Sequence, residues 1–202
     1  MKKVKRNVIF KVCIAIMAVA MLMSSCTANK SGRKHLERIL FCDYAAEIEY
    51  VFEYKDTTLA GTGRITRGEN VRFDILSPDP YTGISVQGDA ADKIDTISIS
   101  YSGIKADIPK SILNKLSLVL SMFSDTAANG IENAPGTAFM QSESDYSCDF
   151  LNECVPYEAH FSIGKTECVY TYDSITGIPL CLCADTGEVR AEIKIKKFKT
   201  EQ

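Results

Sequence analysis

The rhythm of hydrophobic and polar positions changes several times along this chain. Residues Val12 to Met23 form an unbroken apolar run. From Glu47 to Tyr54 the period is two: Ile48, Tyr50, Phe52 and Tyr54 alternate with Glu47, Glu49, Val51 and Glu53. Such alternation predicts a strand with one covered aromatic face and one mostly charged wet face, the habit of antiparallel sheets. Further strands are predicted at 59–67, 71–75, 82–87 and 94–101. Gly61 and Gly63 weaken the first of these but allow sharp curvature. Ser77-Pro78-Asp79-Pro80 stops the second, because prolines cannot serve a ladder. Segments 68–70 and 88–93 read as turns.

The period then lengthens. Leu36, Ile39 and Leu40 predict a short helix over 35–42. Pro109 opens a second predicted helix that runs to about Ser124, since proline is tolerated in a first turn. Ile112, Leu113, Leu116, Leu120 and Phe123 make its stripe, with Val119 at the edge. A helix this apolar must lie on an apolar surface. Residues 125–136 read as a loop with Asn129-Gly130 and Pro135-Gly136. Strand patterns resume at 137–141, 146–150, 157–163, 167–172, 178–184 and 188–198. There is no internal repeat or low-complexity tract.

The first apolar run is too short to span a membrane as a helix, which takes about 20 residues. Lys2, Lys3, Lys5, Arg6 and Lys11 precede it without an acid, and Ser24-Ser25-Cys26 follow. This is the build of an export signal. The ending Leu22-Met23-Ser24-Ser25-Cys26 resembles a bacterial lipobox, with Met23 departing from the usual Leu. That resemblance implies a signal peptide at 1–25 and diacylglycerol on Cys26. A polar tether at 26–34 and one domain at 35–202 would follow. It also implies a lipid-anchored place on the extracytoplasmic side of the cell or outer membrane. Lys30, Arg33 and Lys34 would then lie beside the membrane, where each gains about 1 kcal/mol from anionic lipid or simply keeps the tether soluble.

Composition narrows the classes. The net charge is −3 overall, and the leader carries only bases, so the body is more acidic still. An acidic body argues against nucleic acid as a partner. Of eight cysteines, Cys13 goes with the leader and Cys26 takes the lipid. Cys42, Cys148, Cys154, Cys168, Cys181 and Cys183 remain, and both disulfides and buried thiols stand open for them. A zinc site is disfavoured: Cys181 and Cys183 share one strand face, but no C-x-x-C pair or histidine accompanies them.

The case for catalysis is thin. His35 and His160 are the two histidines, and His35 falls at the end of the tether. His160 shares a strand face with Glu158 and Ser162, at about 7 Å spacing, which is too far for a triad hydrogen bond. Asp89, Asp92 and Asp95 lack the other ligands of a calcium loop. No catalytic residue, metal site or cofactor is expected.

The Glu47–Tyr54 strand, Gly61-Thr62-Gly63-Arg64-Ile65, Val71-Arg72-Phe73 and the turn Thr176-Gly177-Ile178-Pro179-Leu180 together resemble the lipoprotein-carrier superfamily of LolA and LolB. The resemblance implies an α+β, mainly β fold: a curved antiparallel sheet, or half-open barrel, with a short N-terminal helix and one apolar helix on its concave face. It also implies a hydrophobic ligand there, such as an acyl chain, a lipid or a lipoprotein anchor. Tyr50, Phe52, Phe73, Leu116, Leu120 and Phe123 are the residues expected to hold it, and each also fits ordinary core. The alternative is docking to a membrane protein partner without a small ligand.

Two buried acyl chains, at about 0.8 kcal/mol per methylene, give stable attachment where one is marginal. Cys26→Ala is therefore expected to abolish fatty-acid labelling and release the protein from the membrane fraction. Continued labelling of that variant would refute the lipidation.

Overall fold

The structure, a computed structural model, describes residues 32–91, 96–110, 114–142, 150–151 and 153–200. The signal segment, Cys26 and most of the tether lie outside these residues. Among the described residues, eleven strands form one open antiparallel sheet. They are β1 (Tyr44–Tyr54), β2 (Thr57–Arg67), β3 (Asn70–Ile75), β4 (Ser85–Asp89), β5 (Thr96–Tyr101) and β6 (Ile104–Pro109). The chain's second half supplies β7 (Phe139–Gln141), β8 (Pro156–Ile163), β9 (Thr166–Asp173), β10 (Pro179–Asp185) and β11 (Val189–Thr200). The sheet order is β6-β5-β4-β3-β2-β1-β11-β10-β9-β8-β7. Every strand pairs with a chain neighbour, except that β1 meets β11 in the middle. The result is a curved, unclosed half-barrel, as the resemblance noted above implies.

Among the described residues, three short α-helices accompany the sheet: α1 at residues 32–41, α2 (Asn114–Ser121) and α3 (Asp125–Asn133). Here the structure departs from several expectations. Pro109 ends edge strand β6, opposite Thr96, instead of opening a helix. Proline is acceptable there because an edge strand leaves one side unpaired. The missed signal was Ile104, Ala106 and Ile108 alternating with Lys105 and Asp107 after a Ser102-Gly103 turn. Both turn residues have positive φ, 50° and 83°, as tight hairpins need. The expected single helix is interrupted after Ser121. Residues 111–113, with Ile112 and Leu113, lie outside the described part.

The expected loop at 125–136 contains α3. Ser124 is extended, and its hydroxyl accepts from Thr126 N, which caps the new helix. Gly130 sits inside α3 because a Cβ there would come within 2.8 Å of the Phe161 ring. Strand β4 runs through Asp89, into the expected 88–93 turn. The expected strand at 146–150 falls almost wholly outside the described residues.

Helix α1 starts at 32, so its first turn takes in the expected end of the tether. Arg33 pairs with Glu37 at 2.7 Å and donates to the carbonyls of Glu132 and Ala134. Those carbonyls end α3, where a cation is favoured. Arg33 is thus part of the fold rather than of a membrane-facing tether. Gly177, with φ of 81°, lies against the α1 backbone, and a Cβ there would stand 2.3 Å from the carbonyl carbon of His35.

One buried charge joins these pieces. Arg67, at the end of β2, is 5% exposed. It donates to the Cys42 carbonyl at 2.9 Å, to the Phe123 carbonyl at 3.0 Å and to the Asp125 carboxylate. Removing one partner of a buried pair costs about 3–5 kcal/mol. Because Asp125 is partly hydrated, Arg67→Met is expected to cost about 3 kcal/mol in chemical denaturation, and Asp125→Asn less. Equal costs would show that the carboxylate, not the two carbonyls, dominates.

Candidate functional site

The concave face is built in cross-strand rows. One row runs Phe139, Ala159, Tyr170, Leu182, Ile193 and Tyr50, from β7 to β1, and all six are buried. Of the residues expected to hold a ligand, Tyr50, Phe52 and Phe73 come together. Tyr50 stacks on Phe52 at 4.9 Å between centroids and meets Phe73 edge-on at 5.4 Å. Such pairs add about 0.5–1.5 kcal/mol beyond area burial. The Tyr50 hydroxyl donates to the Ser77 carbonyl at 2.6 Å. That contact is possible because Gly61 has no Cβ; one there would lie 2.1 Å from the same oxygen.

Leu120 and Phe123 are buried beneath the helices. Leu120 reaches β4, where a Cβ on Gly88 would come within 3.0 Å of its methyl. Leu116 lies on α2, but its side chain is outside the described part. All these described side chains belong to one continuous core, with Phe52 half-buried. They are packed interior. None of the cavities described below is lined by them.

Helical cover fades toward β6. Helix α2 lies against β3 and β4, and α3 against β8. A second row, Ile65, Phe73, Val86, Ile99 and Ala106, runs outward from β2 to β6. Its first three members are buried, Ile99 is half-buried and Ala106 is exposed. At the far end of β5 and β6, Tyr101 is 53% and Ile104 is 75% exposed. Leu76 and Tyr81, in the segment that links β3 to β4, are exposed as well. Ile97, on the same face of β5, is buried, so among the described residues the exposed apolar side chains of this arm lie toward the tip of the β5–β6 hairpin. Sequence reading missed them with the hairpin itself.

The histidines were read with partial success. His160 Nε2 does reach Glu158 Oε2, at 3.0 Å, so side-chain lean closes the gap that strand spacing opens. The other carboxylate oxygen accepts from Ser142 at 2.7 Å. The carboxylate thus stands between hydroxyl and imidazole, whereas in a nucleophile triad the imidazole stands between the other two. His35 lies within α1, its Nδ1 3.4 Å from the Ser174 carbonyl. Cys42, Cys154, Cys168, Cys181 and Cys183 are thiols, not disulfides. Cys148, Asp92 and Asp95 are outside the described part. Burial pushes the Cys168 thiol up to about 12. Among the described residues, no group of three or more His, Cys, Asp or Glu is placed to hold a metal.

Cavities open elsewhere among the described residues. One of about 520 Å³ lies between α3 and β8, lined by Asn129, Asn133 and His160. One of about 400 Å³ touches Leu118, Ser121 and Lys165. One of about 600 Å³ is lined by Glu47, Arg64, Lys197 and Lys199. The convex face around the last is charged and paired, with Lys197–Glu47 at 2.8 Å and Lys196–Glu49 at 3.4 Å.

No protein-family model and no curated protein sequence matches the chain. Solved structures of similar layout do. An uncharacterized conserved protein from Thermus thermophilus aligns with TM-score 0.48 and 12% identity, over 86% of this chain and 87% of that one. A LolA superfamily protein from Nitrosomonas europaea aligns at 0.41 and 10%, over 86% and 93%. A putative outer membrane lipoprotein-sorting protein domain from Vibrio parahaemolyticus aligns at 0.41 and 12%, over 87% and 94%. At these values the likeness is one of layout and carries no statement about what this chain binds.

Leu120 is 6% exposed and locks α2 to β4. A carboxylate in that contact would be buried without a partner. Leu120→Asp is expected to cost several kcal/mol, on the order of 4, or to unfold the domain. A melting temperature within a degree or two of the parent would refute the packed-core reading.

Proposed function

We propose that the chain is a non-enzymatic envelope lipoprotein, anchored through Cys26 on the extracytoplasmic side, that binds a hydrophobic ligand on its concave face. The ligand class is an acyl chain, a lipid or another lipoprotein's anchor. The observation that carries this reading is the second row, which passes from buried Ile65, Phe73 and Val86 to exposed Ala106, with the exposed pair Tyr101 and Ile104 beside its end. Water over apolar surface is disfavoured by about 25 cal/mol per Å². An acyl chain replaces that water without needing directed polar contacts. Tyr50, Phe52, Phe73, Leu120 and Phe123 then act as the packed floor beside the slot, with Phe52 at its margin.

A second reading, docking of a membrane protein without a small ligand, is favoured by two observations. The aromatic cluster is filled, with Tyr50 and Phe73 each 1% exposed. Strand β6 stands at the end of the sheet, paired on one side to β5, and such an edge accepts an added strand.

Titration calorimetry on delipidated residues 27–202 separates the two. The ligand reading expects affinity that rises with chain length and a negative heat-capacity change. Ile104→Asp is expected to weaken binding about tenfold or more, the equivalent of about 1.4 kcal/mol. Absence of lipid binding, together with cross-linking of a membrane protein to β6, would replace it by docking.

A further inference from the structure

On the opposite side of the sheet, Cys181 and Cys183 stand two residues apart on β10. Both side chains therefore leave the strand on the convex side, while Leu182 between them enters the core. Their Sγ atoms are 4.0 Å apart. Cys181 is buried and Cys183 is half-buried, so the pair is approached from Cys183. On the adjacent strands they face Thr171, Val169, Lys194 and Glu192.

We propose that Cys181 and Cys183 form a bidentate dithiolate site for a soft monovalent cation of the Cu(I) class. The distance carries the argument. With metal–sulfur bonds of about 2.3 Å, sulfurs 4.0 Å apart subtend about 120° at the ion, a trigonal angle. No backbone movement is needed to reach it. A disulfide, by contrast, needs sulfurs at about 2.05 Å and Cα atoms within about 6.8 Å. Alternate residues on a strand already sit at about that limit. Thiolates select soft ions such as Cu(I) over harder competitors.

The surroundings suit the charge. Binding releases two thiol protons to solvent and leaves a complex of net charge −1. On β11, Lys194 lies opposite Cys181 and Arg190 opposite Asp185, on the same face as the two thiols. These two cations offset the anionic complex. Two protein sulfurs leave the third trigonal position facing the half-exposed side. An exogenous thiol or thioether fits there, which makes the ion transferable.

The test is anaerobic titration of the reduced full chain with Cu(I), in competition with a colorimetric Cu(I) chelator. One ion per chain is expected, with sulfur scatterers at about 2.3 Å in X-ray absorption at the copper edge. Cys183→Ser should weaken binding at least a hundredfold at an unchanged melting temperature. The combined Cys42→Ser, Cys148→Ser and Cys154→Ser variant should bind as the parent does. The absorption measurement on unaltered protein decides the matter where a variant folds poorly. Three results would overturn the site: no bound ion, undiminished binding by Cys183→Ser, or a Cys181–Cys183 disulfide that forms on isolation and excludes the ion.

Discussion

Three helix ends converge on the Arg67 guanidinium. The Cys42 carbonyl follows α1, the Phe123 carbonyl follows α2, and Asp125 opens α3. Helix C-termini present carbonyls without intrahelical partners, and a cation meets them favourably. A helix N-terminus favours an acid, which Asp125 supplies to both the helix and the arginine. A planar fork with five donors can serve three acceptors in different directions, where lysine's single ammonium cannot hold the same geometry. Buried charge is costly without such partners. The arginine therefore fixes how the helices sit on the sheet, and so where their cover stops.

Two further constraints act with it. The β1–β11 pairing joins the chain's ends at the centre of the sheet, so neither half can build the core without the other. Helix α1 is seated on Gly177 and tied to the end of α3 by Arg33. Tyr170, from the second half, donates its hydroxyl to the Met122 carbonyl between α2 and α3. These contacts place the helices over β3, β4 and β8, and among the described residues the tip of the β5–β6 hairpin stays exposed. The concave face is thus divided into a packed floor and an exposed tip. The convex face is divided as well: its charges pair along β1 and β11, while β10 contributes thiols.

The period-two pattern determined the sheet. Alternation in 47–54, 71–75, 157–163 and 188–198 is legible because each strand has one dry and one wet face, and the residue spacing reports this directly. The glycines at 61, 63 and 177 were legible as places of curvature or turning, and a Cβ-free backbone is what those contacts require. The aromatic face of β1 was identifiable as buried, but burial alone does not separate core from lining.

Tertiary structure decided the rest. Ser124 restarts a helix where Asn129-Gly130 suggested a loop, because packing of Gly130 under Phe161 outweighs its low helix propensity. Pro109 closes a strand because β6 lies at an edge, and edge position is a property of the whole sheet. Arg67 falls on the covered side of β2 by simple alternation with Gly63 and Ile65, yet its acceptors come from residues 42, 123 and 125. His160 reaches Glu158 through side-chain lean that strand spacing does not encode. The sequence by itself determined which residues alternate, turn and avoid water, since these depend on near neighbours. Which apolar face is filled and which stays open depends on where distant helices come to rest, and only the folded chain decides that.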